Sequence, residues 1–395
     1  MTTRARRVRD RSDLASVLRE SMEASYARFV EGEEEDGERN LLKSYIVEAH
    51  LDTSNDRLHG SLQELRRIGR SLNSRVATTD DKSLLVLSSP KGSVEFYVDV
   101  LHERFWLLHT LSRSIHADTF LSHLIRAGPR IDRAWFPSQL LEVTTGLGRF
   151  EGFGVRFDST IYRVDESKLA PNDEEDGWDP LDSRLISLSL KTRKGARNQL
   201  KRLRGADVFP YASALSWVRV RASNGEAGSF ALEDITYHGK FTARGTSFTD
   251  HQHVLGAVRE KYQASVEGLE RDASIGAREG EEAHFVSGEP LVFEFSQPIR
   301  NMGAVIPRMF TSAEPYRLWG VPRRVNTRML RVHTVDLHVG QPLTVEVTPK
   351  HLVAYLPQGT CGNTITRLYS NVQRTLDPGV KVLGENAWLG PQQAI

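Results

Sequence analysis

TVDLHVGQPLTVEVT, residues 334–348, alternates apolar and polar side chains on both sides of a Gly-Gln-Pro break. Val335, Leu337 and Val339 recur at every second position, and so do Leu343, Val345 and Val347. A period of two puts such residues on one face of a strand. The stretch therefore predicts two half-buried strands joined by a turn. HLVAYL, 351–356, adds a third strand, and LVFEF, 291–295, an earlier one. These strands do not alternate regularly with helices, which argues against a doubly wound sheet or a TIM barrel. The expected fold class is α+β.

Working back towards the N-terminus, residues 12–30, 41–50 and 56–73 read as helices. Leu58, Leu62, Leu65 and Leu72 mark an apolar face on the last of these. LLVLSSPKGSVEFYVDV, 84–100, reads as a hairpin around Ser-Pro-Lys-Gly. A helical stretch from about 103 to 127 stops at Gly128-Pro129. Strand-like runs then mix with loops, and a helix near 250–271 carries Leu255, Val258, Tyr262, Val266 and Leu269. Residues 273–282 read as a linker. Three domains are expected: 1–140, mainly helical with the hairpin near 84–100; 141–272, mixed α+β with a basic helix; and 283–395, β-rich and ending in a helix.

The chain has 395 residues, of which 39% are apolar and 26% charged, which is ordinary for a globular protein. Its formal net charge of +1 supplies no global field to draw in nucleic acid or an anionic membrane, so either partner would need a local patch. The single cysteine excludes an intrachain disulfide and leaves no cysteine cluster for zinc. The basic N-terminus lacks an apolar core and carries Asp10, Asp13 and Glu20, unlike a signal or transit peptide. No apolar run approaches the roughly 18 residues of a membrane span. A cytoplasmic protein without a cofactor or a membrane partner is expected.

A local patch does exist. RLISLSLKTRKGARNQLKRLRGA, 184–206, contains no acid. Lys191, Arg193, Lys194, Arg197, Lys201, Arg202 and Arg204 crowd its second half. There Ala196, Leu200 and Leu203 form a narrow helical stripe. Like charges four apart on a helix repel by a few tenths of a kcal/mol per pair, roughly. The phosphates of a nucleic acid or an acidic protein partner would offset that repulsion. So would the acidic loop PNDEEDGWDPLD, 171–182, folding back on the segment. The helix has no aromatic residue to stack on bases, which favours contact with the backbone. The leading expectation is thus a binding protein without catalysis, part of a larger assembly.

The competing expectation is a hydrolase using Cys361. In YLPQGTCGNTITRLY, 355–369, a strand runs through a turn into a helix, with the thiol at the junction. Five residues separate Cys361 from Arg367, a spacing that resembles the phosphate loop of cysteine-dependent phosphatases. That resemblance implies turn amides and Arg367 around a phosphate, with the thiol activated by the helix N-terminus. Thr364, Ile365 and Leu368 depart from the family's pattern. QGTCGN resembles the Gln-Gly-x-Cys-Gly segment of papain-like peptidases, whose nucleophile would fall at Thr364. No histidine follows His351, so a peptidase using Cys361 would need His333, His338 or His351 as its base. The plainer alternative is a small buried residue in a turn.

Two histidine patterns point away from metal. His102, His109, His116 and His123 lie seven apart, about 10 Å per step along a helix, too far to share one ion. Phe105, Leu108, Leu111, Ile115 and Leu124 would form the core beside them. His251 and His253, with His238 upstream, sit at a helix start rather than at the end of a barrel strand.

Overall fold

LKSYIVEA, Leu42–Ala49, is a strand buried at every position, where apolar spacing suggests a helix. A central strand is buried on both faces, so it loses the alternation by which strands are recognised. The same ambiguity affects residues 103–127. There FWLLHT, Phe105–Thr110, is a strand and the helix begins only at Ser114. Ile115, expected in the core, is exposed.

The computed structural model describes residues 8–31, 41–51, 57–162, 184–206, 209–225, 228–279 and 284–389. In chain order the elements are α1 (Arg11–Glu31), β1 (Leu42–Ala49), α2 (Arg57–Ser71), β2 (Arg75–Thr78), β3 (Leu84–Ser88), β4 (Glu95–Asp99), β5 (Phe105–Thr110), α3 (Ser114–Ala127), β6 (Ile131–Arg133), α4 (Ser138–Thr144), β7 (Arg149–Asp158) and β8 (Leu185–Lys191). Then follow α5 (Ala196–Arg204), β9 (Leu215–Ala222), β10 (Ala231–Thr236), β11 (Lys240–Gly245), α6 (Phe248–Asp272), β12 (Ser274–Glu279), β13 (His284–Ser287), β14 (Leu291–Glu294), α7 (Met302–Met309), β15 (Leu318–Asn326), β16 (Met329–Asp336), β17 (Pro342–Val347), β18 (His351–Pro357), α8 (Gly362–Thr375), β19 (Lys381–Val382) and α9 (Asn386–Leu389). The fold is mixed α+β, with a helical start and a β-rich later part. No helix among the described residues is long and apolar enough to cross a membrane.

The chain divides into two compact units. The first is Met1–Ala134, Thr144–Phe150 and Arg219–Glu260; the second is Trp135–Val143, Glu151–Val218 and Lys261–Ile395.

In the first unit, antiparallel strands run in the order β2-β3-β4-β5-β1-β11-β10, and β6 pairs with the end of β1. One face of the sheet carries Tyr45, Val47, Phe96, Val98, Trp106 and Leu108. The helices α2 and α3 cover it with Leu65, Ile68, Phe120, Leu121 and Leu124. The other face carries Leu42, Leu84, Ala231 and Ala243 against Leu14, Leu18 and Met22 of α1. The alternation of Leu42 and Tyr45 to opposite faces follows from the strand's period of two. The hairpin expected at 84–100 is present, with Leu85 opposite Val98 and Leu87 opposite Phe96.

In the second unit the strand order is β13-β12-β18-β17-β16-β15, with β14 also on β18 and β19 on β14. β12 runs parallel to β18, and the other pairs are antiparallel. Residues 274–279, read as linker, are the strand β12, whose weak apolar pattern is supported by pairing on both sides. In β17 the buried side chains are Leu343, Val345 and Val347, as the alternation requires. In β16 the buried face is Leu330, Val332, Thr334 and Asp336; the strand ends at Asp336, so of the expected apolar set only Val335 lies on it, half-buried, and Leu337 and Val339 fall in the turn that follows. Only the end of this strand is legible in the alternation, and its inward residues there are Thr334 and Asp336 rather than Val335. Thr334 and Asp336 can face inward because each finds a polar partner there. Thr334 donates to the Trp319 carbonyl at 2.8 Å, and Asp336 pairs with Arg367.

α8 is buried along its whole length, polar residues included. Most polar groups of such a helix must find partners, and here Asn363 Nδ2 and Ser370 Oγ are exceptions. Thr366 lies 3.0 Å from the Tyr262 hydroxyl. Gln373 donates to Gln139 at 3.0 Å and accepts from the Ser138 amide at 2.9 Å. Arg374 donates to the carbonyls of Ser370, at 2.6 Å, and of Leu215.

Candidate nucleic-acid interface

β8 lies at the end of its strand order and pairs with β7. Ile186, Leu188 and Leu190 are half-buried, while Leu185, Ser187, Ser189 and Lys191 face outward. A tight turn follows. The Thr192 hydroxyl donates to the Lys194 carbonyl at 2.7 Å, and Gly195 takes a left-handed φ of 82° that favours glycine. The helix α5 then buries Ala196 and Leu200. Leu203 is half-buried, so the expected stripe is the attachment face.

The cations point elsewhere. Lys191, Arg193, Lys194, Arg197, Lys201 and Arg202 are all exposed. Arg204 is half-buried and forms an ion pair with Glu142, so it serves the helix's attachment. The start of α5 has no side-chain cap and no acid in its first turn. The positive end of the helix dipole thus adds to the charges of Arg193, Lys194 and Arg197, where a carboxylate would ordinarily sit. The acidic loop 171–182, the alternative partner for these cations, lies outside the described residues.

Cys361 stands at the strand–turn–helix junction expected of it, as the residue before α8, and is buried. The groups that would hold a phosphate are engaged by carboxylates. Arg367 is fully buried, pairs with Asp336 and donates through Nε to the Tyr316 carbonyl at 2.8 Å. The Gly362 amide donates to Glu270 Oε1 at 2.8 Å. Gly362 itself is required by close approach, since a Cβ there would come within 2.4 Å of the Val266 carbonyl oxygen. Of the three histidines considered as a base, His338 is buried, His351 half-buried and His333 exposed. His333 Nδ1 lies 3.1 Å from Thr344 Oγ1.

The seven-residue histidine series is not one helical stripe. His102 is in a turn, His109 is on β5 and faces inward, and His116 and His123 are exposed on α3. His251 and His253 diverge as well, His251 buried and His253 exposed on the same helix.

Two features of the first unit escape sequence reading. One is a buried chain of polar groups. Ser44 Oγ lies 2.8 Å from His251 Nε2 and 2.7 Å from His109 Nδ1, and His251 Nδ1 lies 2.8 Å from Glu233 Oε1. One proton arrangement satisfies it. His251 donates to Glu233 and accepts from Ser44, and His109 donates to Ser44. Burial, with the nearby His251 and Arg11 adding to it, pushes the His109 imidazole down to about 3, which keeps it neutral. A hydroxyl, an imidazole and a carboxylate in series are the parts of a catalytic triad. Here Ser44, His251 and Glu233 are all fully buried, so the hydroxyl has no open side for a substrate. The chain joins β1, β5, β10 and α6, and no short motif marks it.

The other feature is a cleft of about 890 Å³ lined by Arg66, Arg67, Arg70, Arg75 and Arg130. LRRIGRS, 65–71, carries a local signal for three of these arginines, but Arg75 and Arg130 arrive from other elements.

Fold and surface together define a mixed α+β protein with an outward-facing cationic segment on its second unit. The chain belongs to the MJECL33-like protein family, whose model it matches over residues 2–388. It is similar to Uncharacterized protein MJECL33 of Methanocaldococcus jannaschii, at 27% identity over 397 residues, covering 94% of this chain and 93% of the relative.

Proposed function

We propose that the protein binds nucleic acid, without catalysis, by laying the segment 191–202 against backbone phosphates. The observation that carries this reading is the exposure of six basic side chains on one short turn and helix, held in place by the buried Ala196 and Leu200. The segment 191–202 itself holds no aromatic residue, so its arginines and lysines contact phosphate rather than base edges, and binding is insensitive to sequence and sensitive to salt. The uncapped start of α5 supports the same reading, because backbone amides there favour an anion.

Lys191, Arg193, Lys194 and Arg202 are the residues to replace, since each is exposed and none has a carboxylate partner among the described residues. With all four as Ala, an unspecific fluorescent single strand should bind more weakly. The log–log salt slope should flatten by about 0.7 for each phosphate that is no longer neutralised. A parent protein with no salt-dependent binding to DNA or RNA at low ionic strength sinks the proposal. An acidic protein partner is then the remaining reading of this surface.

A further inference from the structure

We infer that the arginine cleft of the first unit is a second phosphate-binding site, shaped for the backbone of a nucleic-acid strand. The inference stands apart from the segment 191–202 and uses none of its residues. Arg66, Arg67 and Arg70 project from α2, Arg75 begins β2, and Arg130 lies in the turn before β6. The acid lining the cleft, Glu64, is held by Arg67 through contacts of 2.8 and 2.6 Å. Arg66, Arg70, Arg75 and Arg130 have no carboxylate partner among the described residues and are exposed. Arg66 and Arg70 stand four apart on α2, an arrangement that costs stability unless an anion lies between them.

The scaffold beneath is rigid. α2 anchors Leu65 and Ile68 in the core, and β2 is paired with β3 along its length. The cleft therefore presents arginines from three elements in fixed places, the arrangement that suits phosphate oxygens. Its volume exceeds what one phosphate needs and lies within the range of ligand clefts, roughly 300–1,000 Å³. Its apolar lining is Leu51 and Val76, with no aromatic ring among the described residues on which a base would stack. Glu64 is committed to Arg67, so no described acid of the cleft remains to hold the magnesium of a nucleoside triphosphate. Several phosphates and no base or metal contact describe a strand's backbone.

The test uses the full chain, a fluorescent oligothymidylate and inorganic tripolyphosphate. In one variant Arg66, Arg70, Arg75 and Arg130 are all replaced by Ala. In a second, Gly60→Glu adds a carboxylate to the cleft, where a Cβ meets nothing within 4 Å. Both should weaken strand binding, the first on the order of tenfold, with a salt slope shallower by about 0.7 per phosphate released. The same two changes made in the Lys191, Arg193, Lys194 and Arg202 variant should weaken the strand binding that remains there, which reads the cleft without the segment's contribution. Unchanged binding in both cleft variants overturns the inference, and leaves the segment 191–202 intact as a binding surface if its own variant is impaired. Displacement of the strand by tripolyphosphate as effective as by an unlabelled strand, measured with the segment already neutralised, also overturns it in favour of a free polyphosphate.

Discussion

Arg367 and Asp336 form an ion pair that neither residue shares with solvent. The pair ties α8 to β16, and Thr364 Oγ1 donates to the second carboxylate oxygen of Asp336 at 2.6 Å. Removing one partner leaves the other charge buried and uncompensated. Arg367→Met is therefore expected to cost about 3–5 kcal/mol in urea unfolding. Combining it with Asp336→Leu should recover most of that stability, because a well-packed apolar pair replaces a buried ionic one at little cost. A single variant as stable as the parent would show that the pair does not hold α8.

The basic helix separates attachment from charge. Leu200→Ala removes a side chain that is 2% exposed and should destabilise the protein by about 2–5 kcal/mol. Arg202→Ala, on the exposed side, should change stability by no more than about 1 kcal/mol. Chemical denaturation of the two variants side by side distinguishes a helix that carries charge on an anchored stripe from one held by its charges.

His109 gives the fold an acid limit. Burial lowers its pKa from 6.5 to about 3. Below pH 6.5 the unfolded chain takes up a proton at this ring and the folded chain does not. Stability from this group is thus complete above about pH 6.5 and falls by up to about 1.4 kcal/mol per pH unit down to about pH 3. His109→Asn should flatten the acid limb of the stability–pH profile by about one proton. An unchanged profile would mean that His109 is protonated in the folded state.

Cys361 is fully buried, so its thiol should react with iodoacetamide slowly in the native protein and at the rate of local opening. Mass spectrometry after timed labelling at pH 6 and pH 8 measures this. Rapid labelling at pH 6, protected by vanadate, would show an activated and accessible thiolate and would revive the phosphatase-like use of the loop with Arg367.

Amphipathic elements are legible in the sequence for a local reason. The helix 56–73, the helix near 250–271 and the strands β17 and β18 each have one apolar and one polar side, and that periodicity is written in consecutive residues; the hairpin 84–100 is marked instead by Ser-Pro-Lys-Gly between two β-rich runs. The basic segment is legible because its charges are contiguous and its stripe of Ala196, Leu200 and Leu203 is regular. Elements buried on all sides cannot be recognised from period. β1 reads as helix because both of its faces are buried and each mixes polar with apolar residues, Lys43 on one and Ser44 and Glu48 on the other, so no alternation marks it.

Side-chain chemistry in the interior depends on partners far away in the chain. Alternation in 334–348 identifies strands, yet whether Val335 or Asp336 faces inward is decided by Arg367, 31 residues beyond Asp336. The chain Ser44–His251–Glu233 and the cleft of Arg66, Arg70, Arg75 and Arg130 exist only once strands and helices have paired. Sequence by itself determined the amphipathic elements, the α+β class and the cationic segment, because these rest on local period and charge. Tertiary structure alone decided which polar groups are buried, what satisfies them and where separate arginines converge. A buried charge is tolerated only beside its partner, and a charged cleft exists only where distant elements meet.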